Sequence, residues 1–300
     1  MKYRFRRRIF YTLFMMVDKL FLLLPYHLAI KFGRFSGKFI FIVLEKYRRL
    51  TKEHLRVAFG KEKSEKEISK IARSVFINIG VSAAEILSLP KMKNRLDSIV
   101  EINGIERMDK ALSAGNGVIA ISAHFGNWEM IPIAFARKGY SSNVIARPIY
   151  YEKFNEWVSF MRNNMGVNII YRTDSPKKIL KLLRSNEIVG ITPDQDIDSV
   201  EGIFVNFFGR KAYTPSAPVK IAMAANCPIV PVFIVRKGLK HTVYVEEPIS
   251  IERGDDKDAI VREYTQRWSD IIEARIREHP DHWVWMHKRW KTKLPLSEKT

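Results

Sequence analysis

The chain has 300 residues, 46% hydrophobic and 28% charged, which excludes a disordered or fibrous protein and allows a sizeable core. Its 51 Lys and Arg against 32 Asp and Glu leave a net charge of +19, so the expected partner is anionic: nucleic acid, a membrane surface or an acidic protein. One cysteine excludes an intramolecular disulfide framework and a cysteine-based zinc site, and points to a reducing compartment.

In chain order, the charge surplus comes first. Residues 1–50 hold twelve Lys or Arg against only Asp18 and Glu45, interleaved with apolar runs at 9–17, 20–25 and 39–44. No small-residue cleavage site follows the first run, so a signal peptide is not expected. The stretch 9–30 is long enough to span a bilayer but contains Asp18, Lys19, Pro25 and His27. Asp and Lys near a helix centre each cost roughly 2.5–3.5 kcal/mol on insertion, and basic residues flank both ends. The reading is therefore a monotopic helical extension over residues 1–50, lying on anionic headgroups, ahead of a catalytic domain over 51–300. A buried helical hairpin is the alternative. Nucleic acid is not the expected partner, because no zinc-finger spacing, RNP-like motif or helix-turn-helix appears.

Next, 64–89 reads as a helix opened by Ser64 with Glu67 three residues on, a capping-box pattern. Ile68, Ile71, Val75, Phe76 and Ile79 recur at helical spacing. Strand-like runs follow at 99–102, 118–122, 143–146, 168–170, 188–192, 229–235 and 242–245. Helix-like segments fall at 105–114, 128–138, 152–164, 175–184 and 215–225, and a long last helix at 256–278. This alternation predicts an α/β fold, a mostly parallel central sheet flanked by helices. Ligands in such sheets bind beyond the carboxyl ends of strands. Two of those ends carry Ser122-Ala123-His124 and Pro193-Asp194-Gln195-Asp196.

The segment Ala123-His124-Phe125-Gly126-Asn127-Trp128-Glu129 carries the most chemistry. An imidazole at a strand end, with a carboxylate five residues later across a glycine-containing turn, lets Glu129 reach one ring nitrogen of His124. The other nitrogen then faces the cleft as a base. The bland alternative is a surface histidine, with Glu129 as a favourable charge at a helix start. The turn and helix start also offer backbone N–H groups to a developing oxyanion. Asp194, Asp196 and Asp198 form D-x-D-x-D, but Ser199 stands where a calcium loop needs glycine. A metal-dependent glycosyltransferase using Asp194 and Asp196, or a solvated acidic turn, remain open from the residues alone.

Several other motifs carry little. Gly115-Asn116-Gly117 precedes a strand, whereas a dinucleotide fingerprint follows one. There is no G-x-S-x-G elbow. Cys227 fits a small buried hydrophobe, and His279, His282 and His287 lack acid-rich ligand spacing.

The 123–129 segment resembles the H-x-x-x-x-D/E motif of glycerolipid-type acyltransferases. In particular it resembles the lipid A biosynthesis acyltransferases of the lauroyl/myristoyl type, whose version ends in glutamate. The resemblance continues in register through Ala146-Arg147-Pro148, Met161-Arg162-Asn163-Asn164, Pro193-Asp194-Gln195-Asp196 and Phe207-Phe208-Gly209 with Thr214-Pro215. It then takes in Pro228-Ile229-Val230-Pro231-Val232 and the closing segment from Trp283 to Trp290. It implies His124 and Glu129 as catalytic residues and Arg147, Arg162, Asp194 and Gln195 as substrate-binding ones. It further implies an acyl carrier protein as donor and an anionic glycolipid acceptor, a lipid A precursor, with another glycolipid or a glycerophosphate as alternative acceptor. No metal or organic cofactor is implied, and the expected place is the cytoplasmic face of the cell inner membrane.

Overall fold

A computed structural model of the chain describes residues 2–252 and 254–294, with side chains described from residue 6. Lys2 and Arg4, among the basic residues before the first apolar run, therefore have side chains outside the described residues. Four helices lead: α1 (Lys2–Leu23), α2 (Tyr26–Val43), α3 (Glu45–Phe59) and α4 (Glu65–Met92). Pro25 separates the first two, as its missing N–H suits the start of a helix and not the middle of one. The stretch 9–30 is thus not one continuous helix. Ser64 and Glu67 cap α4 reciprocally.

A short helix α5 (Leu96–Ile99) leads into the sheet strands β1 (Val100–Asn103), β2 (Val118–Ile121), β3 (Ser142–Ala146), β4 (Val167–Tyr171), β5 (Ile188–Ile191), β8 (Ile229–Lys237) and β9 (Lys240–Val245). Between them run α6 (Ile105–Leu112), α7 (Met130–Arg137), α8 (Glu152–Asn164), α9 (Pro176–Arg184) and α10 (Ala217–Ala225), and α11 (Lys257–Glu278) follows. The seven-stranded order is β1-β9-β8-β2-β5-β3-β4, parallel at every pair except β8–β9. The expected α/β architecture is thus correct, with two strands running against the rest. The sequence reading did not single out helices α3 and α5, nor the hairpin β6 (Gly202–Phe207) and β7 (Arg210–Pro215), which pair antiparallel outside the main sheet.

Both faces of the central strands are buried, which is why they read as continuous apolar runs and not as alternation. Ile119 and Ile121 of β2 enter one core with Phe233, Trp268 and Trp283, while Val118 and Ala120 enter the other with Phe135 and Val232. β5 sits beside β2, yet the connection from β2 leads to β3 and that from β5 leads across to β8. The crevice beyond the β2 and β5 ends is the topological switch point, where ligands bind in such sheets.

The N-terminal helices are fastened to this body. A Cβ on Gly37 of α2 would stand 2.4 Å from the Phe76 carbonyl oxygen of α4, and one on Gly80 2.4 Å from that of Gly33. Glycine permits this backbone approach. Phe14 of α1 meets Phe154 and Trp157 of α8 edge-on, with centroids 4.9 and 4.8 Å away. Asp18, buried, turns inward to Trp157, and burial raises its carboxyl pKa above the ordinary 3.8. That leaves Phe10, Leu13, Met16 and Leu20 of α1 and Phe35, Phe39 and Ile42 of α2 exposed. Among the described residues, one helical stretch is long and apolar enough to cross a membrane, Glu65–Ile99, and 44% of its apolar window is buried inside the protein.

Helix α4 carries a buried ion cluster that ties these layers together. Glu85 accepts two 2.9 Å bonds from Arg236 of β8, one of 3.0 Å from His241 of β9 and one of 2.9 Å from Asn127. Burial pushes the Glu85 carboxyl upward, but His241 and Arg236 overcome it and hold the pKa at about 2. Glu85→Gln should cost ~3–5 kcal/mol in denaturant unfolding, since it strands a buried guanidinium. The difference from wild type should be full above pH 4.5, the ordinary value, and shrink as pH falls towards 2.

Candidate active site

β2 delivers its chain end to the crevice, and the backbone then turns sharply. Gly126 takes φ +60°, and a Cβ there would lie 2.2 Å from the Ile234 carbonyl oxygen. Only glycine fits this turn. The Gly126 N–H donates to His282 at 2.9 Å and the Val284 N–H to the His124 carbonyl at 3.0 Å, so the C-terminal segment is sewn to the loop.

His124 is held from below by Asp194, which follows β5. The Asp194 carboxylate accepts the His124 backbone N–H at 2.9 Å, the ring Nδ1–H at 2.7 Å and the Trp283 indole N–H at 2.8 Å. Asp194 is 2% exposed, whereas the His124 side chain keeps 20% exposure towards the cavity. Burial would raise the Asp194 pKa, but the His124 charge and N–H donors hold it well below the carboxylate range. Burial likewise pulls His124 down, and the Asp194 charge more than offsets it, leaving the imidazole above its ordinary 6.5. With Nδ1–H committed to Asp194, the neutral ring presents Nε2 as an acceptor.

Glu129 does not reach that ring. It forms a fork with Arg162 of α8, with bonds of 2.9 and 2.7 Å, and both side chains are 15% exposed. The expected His124–Glu129 hydrogen bond is thus replaced by His124–Asp194. A guanidinium fork matches a carboxylate in both bonds, and Arg162 lies across the cleft from the start of α7. Asp194, expected to bind substrate, has its oxygens filled by protein donors and is almost wholly buried.

Gln195 does face the cleft. Its Nε2 lies 3.1 Å from His124 Nε2 and 2.9 Å from His287 Nε2, so one amide bridges two imidazole lone pairs. Burial lowers the His287 pKa to about 4, keeping that ring neutral. Neither His287 nor Trp283 was given a place at the site from the sequence: His287 was weighed only as a metal ligand, and both fall in the aromatic-basic closing segment. Two of the turn's N–H groups are also spent, Phe125 on Ala123 and Gly126 on His282, and do not point to an oxyanion. Asp196 accepts from Thr292 at 2.7 and 2.6 Å, and Asp198 pairs with Lys291 at 2.9 Å. The three aspartates therefore diverge. Among the described residues no three His, Cys, Asp or Glu gather as metal ligands.

The cavity above these groups has a volume of about 900 Å³. Ile131, Phe135, Val144, Ile169, Ile188 and Val232 give it apolar walls, and His124, Glu129, Arg162 and Gln195 line it too. Arg147, at the end of β3, is exposed on its rim. Its size is that of a small-molecule site.

A strand-end histidine in an H-x-x-x-x-E loop opens on an apolar cavity, and with the family match over nearly the whole chain the class of protein is an acyltransferase. Residues 1–292 match the bacterial lipid A biosynthesis acyltransferase family, and the chain belongs to it. It is 25% identical over 224 residues to a phosphatidylinositol mannoside acyltransferase of Mycobacterium tuberculosis (strain H37Rv), covering 72% of this chain and 68% of that protein. It is 21% identical over 281 residues to the lipid A biosynthesis palmitoleoyltransferase of Escherichia coli K12, covering 92% and 88%. With a lipid A biosynthesis acyltransferase of Haemophilus influenzae it shares 21% over 204 residues, 68% and 63% of the two chains.

An NMR titration of the His124 imidazole should give a midpoint above 6.5 in the wild type. In Asp194→Asn it should fall below that value, because burial then acts without the opposing charge. An unchanged midpoint would mean that Asp194 does not hold the ring.

Proposed function

We propose that the chain transfers a fatty acyl group from an acyl carrier protein thioester to a hydroxyl of an anionic glycolipid, a lipid A precursor. The observation that carries this reading is the His124–Asp194 couple at the mouth of the apolar cavity. The acceptor hydroxyl gives its proton to His124 Nε2 as its oxygen bonds to the thioester carbonyl carbon. The carbonyl electron pair moves onto oxygen, and Asp194 stabilises the imidazolium without taking a proton. Collapse re-forms the carbonyl and breaks the C–S bond. The proton passes from Nε2 to the departing thiolate, which leaves as the carrier's thiol.

Gln195 blocks Nε2 in the resting site and swings away when the hydroxyl arrives, bringing its N–H to the developing oxyanion. His287 holds the amide's other N–H. Glu129 acts through Arg162, fixing that guanidinium in the cavity wall. The donor is an acidic protein, for which the +19 charge provides attraction. A buried acyl chain contributes about 0.8 kcal/mol per methylene, which suits the apolar walls. A phosphatidylinositol mannoside acceptor is the second reading, favoured by the 25% identity to the mycobacterial relative.

The outward apolar rows of α1 and α2, with exposed Arg6, Arg7, Arg8, Lys31, Arg34 and Lys38 around them, suit the cytoplasmic face of the inner membrane. Basic residues near such a surface add about 1 kcal/mol each on anionic lipid.

His124→Ala should lower acyl transfer from labelled carrier thioester by about 10²–10⁴, with the far-ultraviolet dichroism unchanged. Transfer at the wild-type rate would end this assignment. No step calls for a cation, so EDTA should leave the rate as it was, whereas a metal-dependent glycosyltransferase would stop. Parallel assays on a lipid A precursor and on a phosphatidylinositol mannoside separate the two acceptors. Replacing Phe35, Phe39 and Ile42 together with serine should weaken sedimentation with phosphatidylglycerol vesicles. High salt should weaken it only in part, since screening leaves apolar insertion intact.

A further inference from the structure

The cavity carries five Lys or Arg side chains, and three of them are neutralised. Arg162 is forked to Glu129, Lys220 pairs with Glu201, and Lys291 pairs with Asp198. Its remaining carboxylates are engaged as well, Asp174 by Lys178 and Asp196 by Thr292. Arg147 and Arg172 stand apart. Both are exposed on the cavity rim, and among the described residues neither guanidinium has a hydrogen bond, carboxylate or aromatic partner.

Their placement is tightly built. β3 and β4 are parallel with Ala146 opposite Tyr171, so Arg147 and Arg172 are the next residues on adjacent strands. Neighbouring strands lie about 4.8 Å apart. The Arg172 N–H donates to the Ala146 carbonyl at 3.0 Å, which carries the pairing past the strand ends. Asn155 of α8 then bridges the two loops: its Oδ1 accepts the Ile149 N–H at 3.0 Å and its Nδ2 donates to the Tyr171 hydroxyl at 2.8 Å. Two guanidiniums on adjacent, paired backbones with no partner of their own leave a doubly cationic rim. Arginines so placed suit a phosphate, whose oxygens accept from guanidinium donors.

We propose that Arg147 and Arg172 form a phosphate clamp for the lipid acceptor, a role the sequence reading had divided between Arg147 and Arg162. The proposal rests on the acyltransferase reading for the identity of the acceptor. The acceptor's phosphate is favoured over that of the donor's pantetheine arm by the surroundings. Tyr150, three residues after Arg147, is 86% exposed with Arg7 of α1 stacked 4.7 Å over its ring, and Ile149 and Phe160 are also exposed. The clamp thus opens beside the apolar surface of the N-terminal helix, where a lipid headgroup would lie.

The test uses the full chain in detergent micelles with Arg147→Gln, Arg172→Gln and, as a charge control, Lys181→Gln on the exposed side of α9. Calorimetry with glucose 1-phosphate, and with glucose alone, needs no turnover. The wild type and Lys181→Gln should bind the phosphate ester and not the free sugar, and each arginine variant should bind about ten-fold more weakly. In acyl-transfer assays the arginine variants should raise KM for a phosphorylated glycolipid by a similar factor. The KM for carrier thioester should stay constant, and the rate on the dephosphorylated glycolipid should not fall further. Equal binding of glucose 1-phosphate by wild type and both arginine variants would overturn the clamp. A rise in the carrier-thioester KM, alone or with the acceptor's, would overturn its assignment to the acceptor. If the wild type transfers no acyl chain, the proposed function fails, while the calorimetry still decides the clamp.

Discussion

The Asp194 carboxylate is the constraint on which the site depends. It takes three donors from two places in the chain: the His124 backbone, the His124 ring and the Trp283 indole. An anion buried this deeply is tolerable only if its lone pairs are filled. That requirement draws the end of β2, the end of β5 and the C-terminal segment to one point. The same bonds that make Asp194 affordable to bury also fix the tautomer of His124. Structure and chemistry are here served by one set of hydrogen bonds.

Glu85 repeats this logic one layer away. Its partners on β8 and β9 hold α4 against the sheet, and Asn127 ties the cluster to the loop that begins at His124. Ser82 of the same helix also takes an Arg236 N–H at 2.6 Å. Since α2 packs on α4 through Gly37 and Gly80, the helices with the exposed apolar face are two contacts from the histidine loop. The exposed apolar surface and the loop that carries His124 are therefore parts of one packed stack.

Helix α1 reaches the cavity by another way. Its aromatic contacts fall on α8, the helix that also supplies Arg162 and Asn155 to the cavity lining. Asp18, which interrupts the apolar run in the sequence, faces this contact and leaves the outer face apolar. A charged residue in a hydrophobic stretch thus marks the inward side of an amphipathic helix as readily as it marks a failed span.

Much of this was written locally. Apolar runs on β2, β5 and β8, punctuated by helical periodicity, sufficed for a mostly parallel sheet, because burial of both strand faces leaves a compositional trace in each segment. Ser64 and Glu67 marked the start of α4, and the 123–129 segment with its companions marked the family. The hairpin of β6 and β7 left no such trace, since its strands carry polar Asn206, Arg210 and Lys211 among the aromatics. Which carboxylate holds His124 was decided only in three dimensions. Glu129 is five residues away and Asp194 seventy, and sequence spacing favours the nearer. Strand order reverses that ranking, because β5 is the hydrogen-bonded neighbour of β2 and brings Asp194 alongside, while Glu129 turns with the chain towards Arg162. A short sequence distance limits how far apart two residues can be, but only the packing of the sheet determines which distant residues meet.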